Sequence, residues 1–336
     1  MGVQPAPDRI MDLSLAFFGS KALLSAVELG LFTELADESL DAGTLQQRLG
    51  LHPRASRDFF DALVAMGMLE REEGLYRNSA ETDLYLDRGK PSYIGGWLEM
   101  TNDRLYPFYG RLTEGLRSGE PQNEAKTGED FWGVLYQDSS RLRQFSSAMT
   151  AASMGTAKAL TCRFPWANYR TFLDVGTAQG NLPVQLALAH EHLTGTGFDL
   201  PVLAPIFADY VTSFGLNDRL RFITGDFFID SLPKADVLVM GNILGDWNLA
   251  ERNVLLAKAY EALPEGGALI VYEQLIDDDR RERAVNLLVS LLMLIETPGG
   301  SCYTAADCQS WMAEAGFKKT TTEHVTGLDW MVVGFK

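Results

Sequence analysis

The sequence predicts an α/β protein in which a mostly parallel sheet, covered by helices, follows an α-rich N-terminal region. Apolar residues at helical spacing fill the N-terminal region, and short apolar strands alternate with helices from Arg170 onward. Glycine and aspartate residues stand where those strands end. Repeated strand–helix alternation is typical of a parallel sheet, because the crossover helices cover both faces.

Composition narrows the class of protein. The chain has 336 residues, of which 46% are hydrophobic, and a formal net charge of −16. That charge argues against a general binder of nucleic acid or membrane surfaces, because both are polyanionic. Met1 to Asp8 is polar and proline-rich, unlike a secretory signal, so we expect a cytoplasmic protein with free thiols and no membrane partner. Four scattered histidines predict no metal site.

Residues 1–96 have the pattern of a winged helix. Apolar residues from Leu13 to Leu31 recur at helical spacing, a second short helix covers 44–49, and a third is expected from Pro53 to Gly67. A strand, turn and strand follow over 68–77. A DNA-binding head is the alternative, but this stretch is rich in acids and has no basic recognition face.

Residues 97–165 are predicted to be a helical linker that contributes to a substrate pocket. The segment is rich in aromatic residues, including Phe131 and Trp132. We expect Tyr136 and Met149 from this segment to contact substrate, together with Met293 and Glu296 nearer the C-terminus.

Residues 166–336 are predicted to form the sheet and to bind the cofactor. The predicted strands cover 171–175, 195–198, 220–223, 237–240 and 268–272, with a terminal pair at 319–325 and 330–335. Ligands of such sheets bind beyond the carboxyl ends of the strands. Asp174, Asp199 and Asp226 stand at three of those ends, and Gly176 and Gly180 follow the first. A carboxylate after the second strand can accept both ribose hydroxyls, although a lone glycine turn also suits a dinucleotide.

Several ordered motifs resemble those of the small-molecule O-methyltransferase family, which includes plant caffeate and animal acetylserotonin methyltransferases. The motifs are Leu173-Asp174-Val175-Gly176 with Gly180, Phe198-Asp199-Leu200-Pro201, Gly225-Asp226-Phe227-Phe228, Asn242-Ile243-Leu244-Gly245-Asp246-Trp247, Ala262-Leu263-Pro264-Glu265-Gly266-Gly267 and Thr297-Pro298-Gly299-Gly300. The resemblance covers nearly the whole chain. It implies a Rossmann-like methyltransferase domain that binds S-adenosylmethionine, preceded by a dimerisation domain, and therefore a homodimer acting on a small-molecule methyl acceptor.

The resemblance also implies roles for individual residues. Asp199 holds the ribose, Asp226 and Phe227 the adenine, Trp247 packs beside the cofactor, and the turn from Gly176 to Gly180 faces the methionine moiety. The other cofactor-binding candidates from the same motifs are Asp174, Gln179, Leu200 and Asn242.

The departures from the family pattern concern the chemistry. Members that methylate a hydroxyl usually have His-Asp-Trp where this chain has Gly245-Asp246-Trp247, and that histidine is the general base. Glu273 matches one of the two acids that orient the histidine, whereas Cys302 replaces the other. Thr177-Ala178-Gln179 also replaces a glycine-rich stretch.

Three explanations follow. A thioether acceptor has a lone pair and no proton to lose, so alignment and desolvation would suffice, with Asp246 and Glu273 easing the new positive charge. Alternatively, Tyr303, Asp246 or a bound water serves as base for a hydroxyl. In the third, catalysis has been lost and the protein binds its ligand as a regulator. The favoured prediction is the thioether.

A second resemblance fits that prediction: the chain resembles bacterial S-methyltransferases that convert 4-methylthio-2-hydroxybutyrate to its sulfonium in dimethylsulfoniopropionate synthesis. The carboxylate of such a substrate requires an arginine. Arg104 is the candidate, with Arg141 and Arg143 as alternatives.

Overall fold

The computed structural model describes residues 6–127 and 135–336 and divides into two compact units, Met1–Pro107 and Phe108–Lys336. The division falls inside the segment 97–165 that the sequence predicts as a linker. Residues 128–134 of that segment, including Phe131 and Trp132, lie outside the described residues.

The first unit has the predicted helix and hairpin pattern. Its helices are α1 (Asp8–Glu28), α2 (Leu31–Glu34), α3 (Ala42–Arg48), α4 (Ser56–Ala65), α5 (Ala80–Leu86) and α6 (Gly95–Met100), followed by a π-helical turn (Thr101–Leu105). Its strands are β1 (Leu40–Asp41), β2 (Leu69–Glu72) and β3 (Leu75–Asn78), in the antiparallel order β1-β3-β2. Helix α4 begins three residues later than predicted. The reason is local: the N–H of Arg54 donates to His52 Nδ1, and Ala55 has a non-helical φ of −136°.

Helix α1 exposes much of its apolar surface. Only Leu24, Ala26 and Val27 of its residues are buried, whereas the side chains of Leu13 and Phe17 are 78% and 50% exposed. Among the described residues it is the one helix whose length and composition would allow a membrane crossing. Core helices of soluble proteins and signal sequences share those two properties.

The second unit contains the large sheet. Helix α7 (Tyr106–Tyr109) lies at the boundary, and the described helices that follow are α8 (Leu112–Ser118), a 3-10 turn (Glu124–Thr127), α9 (Ser139–Arg163), α10 (Asn181–Ala189), α11 (Ala204–Ser213), α12 (Leu249–Ala262), α13 (Ala284–Glu296) and α14 (Ala305–Ala315). The strands are β4 (Thr171–Val175), β5 (Thr194–Asp199), β6 (Leu220–Thr224), β7 (Val237–Gly241), β8 (Ala268–Glu273), β9 (Lys319–Thr326) and β10 (Asp329–Phe335). Each of these strands was predicted, with bounds that agree to within about two residues.

The strand order β6-β5-β4-β7-β8-β10-β9 confirms the mostly parallel sheet. Strands β4 to β8 pair in parallel, and the terminal hairpin β9–β10 pairs antiparallel with β8. The chain starts in the middle at β4, builds outward to β6 and then crosses to β7. Ligands of such sheets bind at this switch point, beyond the ends of β4 and β7.

The core lies on both faces of the sheet. Phe172 and Val237 pack with α9, α10 and α11 side chains on one face, and Leu173 and Leu238 pack with those of α12 and α14 on the other. Burial on both faces explains why the central strands read as continuous apolar runs. The sheet therefore holds the strand ends rigidly in one row.

Candidate active site

The turn after β4 needs its glycines. Gly176 and Gly180 have φ of +72° and +89°, where a side chain is strained. A Cβ at Gly176 would lie 2.2 Å from Ile243 Cδ1, and one at Gly180 would lie 2.6 Å from Phe207 Cε2. The backbone can therefore approach a bound ligand closely here.

Asp174 and Asp199 are buried carboxyl groups at the ends of β4 and β5. The Thr177 hydroxyl donates to Asp174 Oδ2 over 2.7 Å. Burial raises the pKa of Asp174 to about 7. The Thr177 hydrogen bond lowers this pKa, and the negative charge of Asp199 raises it further. Both acids are thus held in an apolar setting where they titrate near neutrality.

Asp199 is fixed by two backbone groups. The N–H of Ala178 donates to Oδ2 and the N–H of Leu200 donates to Oδ1, each over 2.8 Å. Burial raises the pKa of Asp199 to about 6 against the effect of these bonds. Each carboxylate oxygen has a further lone pair, so the group can still accept hydrogen bonds from a ribose. This fits the predicted role of Asp199.

Asp226 and Phe227 lie in a tight loop after β6. The N–H of Phe228 donates to Asp226 Oδ1 over 2.8 Å, and the Asp226 N–H donates to Asp230 Oδ2 over 2.9 Å. Lys258 of α12 closes the loop: its Nζ lies 2.8, 2.7 and 2.9 Å from the carbonyl oxygens of Phe227, Phe228 and Asp230. The sequence analysis missed Lys258, since a lysine on an amphipathic helix is usually solvated.

Aromatic side chains gather beside this loop. Trp247 lies edge-to-face against Phe227 at 5.9 Å between ring centroids and against Phe228 at 4.6 Å. Phe227 and Trp247 are only partly buried. Together with Asp226 they offer both an apolar face and a polar acceptor, which suits an adenine ring.

Asn242 follows β7 in a left-handed conformation, with φ of +54°. Gln274 Nε2 donates to Asn242 Oδ1 over 3.1 Å and also to Asp329, whose other oxygen accepts from Thr156 of α9. The loop is thereby tied to β8, β10 and α9. Gln274, Asp329 and Thr156 gave no sequence signal.

Glu273 ends β8 and turns its carboxylate to the loop at Gly245. Its Oε1 accepts from the N–H groups of Ile243 and Gly245, each at 3.0 Å. A Cβ on Gly245 would lie 3.1 Å from Glu273 Oε2. The acid that would orient a histidine in the family pattern thus binds the loop backbone instead.

Asp246 lies beside this acid. Burial, then the charges of Glu273 and Glu296, raise its pKa to about 7, while Arg252 opposes the shift. Asp246 is an intermediate residue in burial, neither fully buried nor exposed. A group that titrates near neutrality in a crevice can exchange a proton with a substrate.

Arg252, in α12, is a buried cation that the sequence analysis missed. Its Nε donates to the Leu244 carbonyl over 2.8 Å, and its Nη2 donates to the Ser301 carbonyl over 2.6 Å. The guanidinium lies over the rings of Tyr303 and Trp311 at 4.9 and 5.2 Å. The guanidinium thereby joins the loop that contains Leu244 to the loop that contains Ser301.

Tyr303 is a poor candidate for the base that sequence analysis considered. The side chain is buried in the core, and burial together with the Glu273 charge raises its pKa well above the ordinary value. Burial likewise raises the pKa of Cys302 to about 12. Both groups stay protonated at neutral pH.

The substrate-binding candidates fall in different places. Met293 and Glu296 lie on α13, and Met149 lies half-buried on α9. Tyr136 lies just before α9. Arg104 belongs to the first unit, in the turn Thr101–Leu105, so its role stays a prediction.

The alternative arginines both lie on α9. Arg143 forms an ion pair with Asp209 at 2.9 Å, and the two line a cleft with Gln179. Arg141 is exposed. Within the two described stretches, no group of three His, Cys, Asp or Glu side chains could hold a metal ion.

Comparison with known proteins identifies the two parts of the chain. The family model of the O-methyltransferase dimerisation domain matches residues 11–88, and that of the O-methyltransferase domain matches residues 109–318. The chain is 46% identical to the tetracenomycin polyketide synthesis 8-O-methyl transferase TcmO of Streptomyces glaucescens, over 98% of this chain and 97% of that one. It is 38% identical to the N,N-dimethyltransferase OxyT of Streptomyces rimosus, over 97% and 96% of the two chains.

Solved structures agree. Human N-acetylserotonin methyltransferase in complex with S-adenosylmethionine matches with a TM-score of 0.91 and 25% identity, over 100% of this chain and 99% of that one. PigF with S-adenosylhomocysteine matches with a TM-score of 0.88 and 27% identity, over 99% and 100%. The strand-end acids, glycine turn and aromatic edges fit the same cofactor. The chain therefore belongs to the O-methyltransferase family and is an enzyme that uses S-adenosylmethionine.

Proposed function

We propose that the enzyme methylates a hydroxyl group on a polycyclic aromatic compound of the polyketide type. The observation that carries this proposal is the 46% identity, over nearly the whole of both chains, to a polyketide 8-O-methyl transferase.

Helix α13 supports an apolar acceptor. Ten of its thirteen residues are apolar, yet only Asn286 and Ile295 are buried. Val285 and Leu288 are 51% and 52% exposed. A helix that is apolar on all sides normally lies in a core, so its half-exposed faces suit a bound apolar molecule. Met293 and Glu296 at its C-terminal end remain the proposed substrate contacts.

Thioether methylation, the favoured prediction from sequence, receives no support from these relatives. That prediction depended on the absence of a histidine at position 245. The sequence alternative of a substitute base already allowed a hydroxyl substrate with glycine at 245, and the similarity to an 8-O-methyl transferase favours that alternative. The hydroxyl alternative therefore replaces it.

Methylation of an amine is the second candidate. The 38% identity to an N,N-dimethyltransferase favours it. A neutral amine attacks through its own lone pair and needs no base in the attacking step, so the two candidates differ in their dependence on Asp246.

The acceptor can be identified by mass spectrometry. Purified protein would be incubated with S-adenosylmethionine carrying an isotopically labelled methyl group and with polycyclic phenols, aromatic amines and thioethers. We expect label on the oxygen of one or more phenols and none in reactions containing excess S-adenosylhomocysteine. Label found only on nitrogen or only on sulfur would reject the proposal.

The assembly is proposed to be a cytoplasmic homodimer formed through residues 1–96, with residues 97–165 contributing to the substrate pocket and 166–336 binding the cofactor. The match to the dimerisation domain and the exposed apolar face of α1 support the dimer.

A further inference from the structure

The acids of the active site differ in how their oxygens are used. Asp174 accepts from Thr177, Asp199 from two backbone N–H groups, and Glu273 from two more. Asp246 accepts no hydrogen bond and forms no ion pair with any residue that the structure describes. An unpartnered carboxylate in a partly accessible position is free to bind a proton from a ligand.

The backbone around Asp246 is firmly held. Glu273 binds the N–H groups of Ile243 and Gly245, while Arg252 binds the carbonyl of Leu244. These contacts fix the turn Leu244–Asp246 from both sides without occupying the Asp246 side chain. A fixed backbone leaves the Asp246 carboxylate in a defined place, from which it can accept the proton of a group held within hydrogen-bond reach.

We propose that the Asp246 carboxylate accepts the proton of the acceptor hydroxyl, in place of the histidine that position 245 lacks. This inference rests on the proposed methylation of a hydroxyl.

The charges that face Asp246 suit this role. Glu273 from β8 and Glu296 from α13 raise its pKa, Arg252 from α12 lowers it, and Cys302 remains neutral. The resulting pKa of about 7 makes Asp246 a stronger base than an ordinary carboxylate, whose pKa is near 4. Base catalysis is most effective when the pKa lies near the working pH.

The other groups beside the turn are less suited. Tyr303 and Cys302 keep their protons at neutral pH. Glu273 is buried, and its Oε1 already accepts from two backbone N–H groups. Asp246 is the group at this turn that combines accessibility with titration near neutrality.

The step balances as follows. The O–H bond of the acceptor breaks and its proton moves to an Asp246 oxygen. A lone pair of the acceptor oxygen forms the new bond to the methyl carbon, and the bond from that carbon to sulfur breaks with its electron pair staying on sulfur. The sulfonium thereby becomes the neutral thioether of S-adenosylhomocysteine, and Asp246 later releases its proton to water.

The test is the pH dependence of single-turnover methyl transfer, at saturating cofactor, to a phenol that is itself un-ionised across the pH range. Wild-type rate should rise about tenfold per pH unit below pH 7 and level off above, because only ionised Asp246 accepts the proton. Asp246→Asn should lose this rise and slow transfer by on the order of 10²-fold, while keeping its affinity for S-adenosylmethionine.

Two further variants complete the design. Glu296→Gln removes a negative charge that faces Asp246, so the rising limb should move to lower pH. Glu265→Gln, an exposed acid paired with Lys318 outside the site, should leave the limb unchanged. A limb retained in Asp246→Asn would overturn the inference. If Asp246→Asn does not fold, a pH–rate profile in Glu296→Gln that rises at the same pH as in wild type would overturn the inference instead.

The two proposals fail in different ways. Should the wild type methylate only amines or thioethers, the proposed function is wrong and the role of Asp246 falls with it. Should it methylate phenols while Asp246→Asn keeps the limb, only the role of Asp246 is wrong.

Discussion

Asp199 illustrates how one residue type acquires a specific task from its backbone contacts. Its two oxygens are oriented by the N–H groups of Ala178 and Leu200, so the carboxylate cannot rotate freely. Each oxygen keeps a lone pair that can accept a further hydrogen bond. A ligand that supplies two adjacent hydroxyls meets an acceptor that is already positioned.

Replacing this acceptor should weaken cofactor binding. We expect Asp199→Ala to reduce affinity for S-adenosylmethionine by about tenfold or more, because charge-assisted hydrogen bonds to the ribose are lost. Isothermal titration calorimetry measures the affinity directly. Glu265→Ala, at an exposed acid paired with Lys318 outside the site, is the control and should leave the affinity unchanged. Equal affinities of wild type and Asp199→Ala would show that the ribose binds elsewhere.

Gly245 gives a second prediction at this scale. Gly245→His should lower turnover, because its Cβ would lie 3.1 Å from Glu273 Oε2 and would displace the carboxylate that holds Ile243 and Gly245. Gly245→Ala introduces the same Cβ and should share part of the loss. The measurement is single-turnover rate with a phenol acceptor. A faster Gly245→His enzyme would contradict the assignment of Asp246 as sufficient base.

Individual residues were predictable where the pattern marks them by position. Asp174 and Asp199 stand at the carboxyl ends of short strands and Asp226 just after one, so the ends of those strands could be located from sequence alone. Lys258 and Arg252 could not be found in this way, since each makes its contacts with loops that are distant along the chain. A charged residue on a helix gives no local sign that its partner is a buried carbonyl.

At the scale of elements, helix α12 packs in the core and also holds two loops through its charged side chains. Leu255, Leu256 and Ala259 face the sheet, while Lys258 reaches the loop after β6 and Arg252 reaches the loop after β7. The helix thus contacts both the loop after β6 and the turn Leu244–Asp246.

Removing the Lys258 contacts to the loop after β6 should weaken binding of S-adenosylmethionine. Lys258→Met keeps most of the side-chain volume but leaves three carbonyl groups without their shared donor, so we expect affinity for S-adenosylmethionine to fall by several-fold or more. Lys318→Met removes an exposed lysine that pairs with Glu265 and should have no effect. Calorimetry on both variants tests this. An unchanged affinity in Lys258→Met would mean that the loop holds its shape unaided.

Elements were predictable to different degrees. The central strands could be predicted because buried parallel strands are short and apolar, and here glycine and aspartate residues stand at their ends. The segment 97–165 resolves into several short helices, a π-helical turn and the long α9, which its aromatic-rich pattern did not distinguish. The start of α4 was misplaced because proline tolerates a helix start without requiring one.

At the scale of the molecule, the exposed apolar face of α1 needs a partner. Ile10, Leu13 and Phe18 are each more than half exposed, although isolated apolar faces of this size are unfavourable in water. The family's dimerisation domain includes this helix from residue 11 onward. The sequence alone could predict the apolar stripe. The family resemblance was needed to predict that a second copy of the chain covers it.

Charge placed on that face should dissociate the dimer. We expect Leu13→Glu with Phe17→Glu to give monomers at micromolar concentration, because two buried carboxylates per protomer would have to be desolvated. Multi-angle light scattering reports the mass. Leu188→Glu, at a leucine of the second unit that is 51% exposed, should remain dimeric. A stable wild-type monomer would reject the dimer proposal.

The pKa of about 6 at Asp199 has a thermodynamic consequence for cofactor loading. Ribose hydroxyls donate best to the ionised carboxylate, so binding near that pH shifts Asp199 toward its charged form and expels a fraction of a proton. Loading of S-adenosylmethionine is then a proton-releasing equilibrium in mildly acidic solution and loses this coupling at alkaline pH. Its heat, measured near pH 6 in buffers of different ionisation enthalpy, should therefore vary with the buffer that takes up the proton.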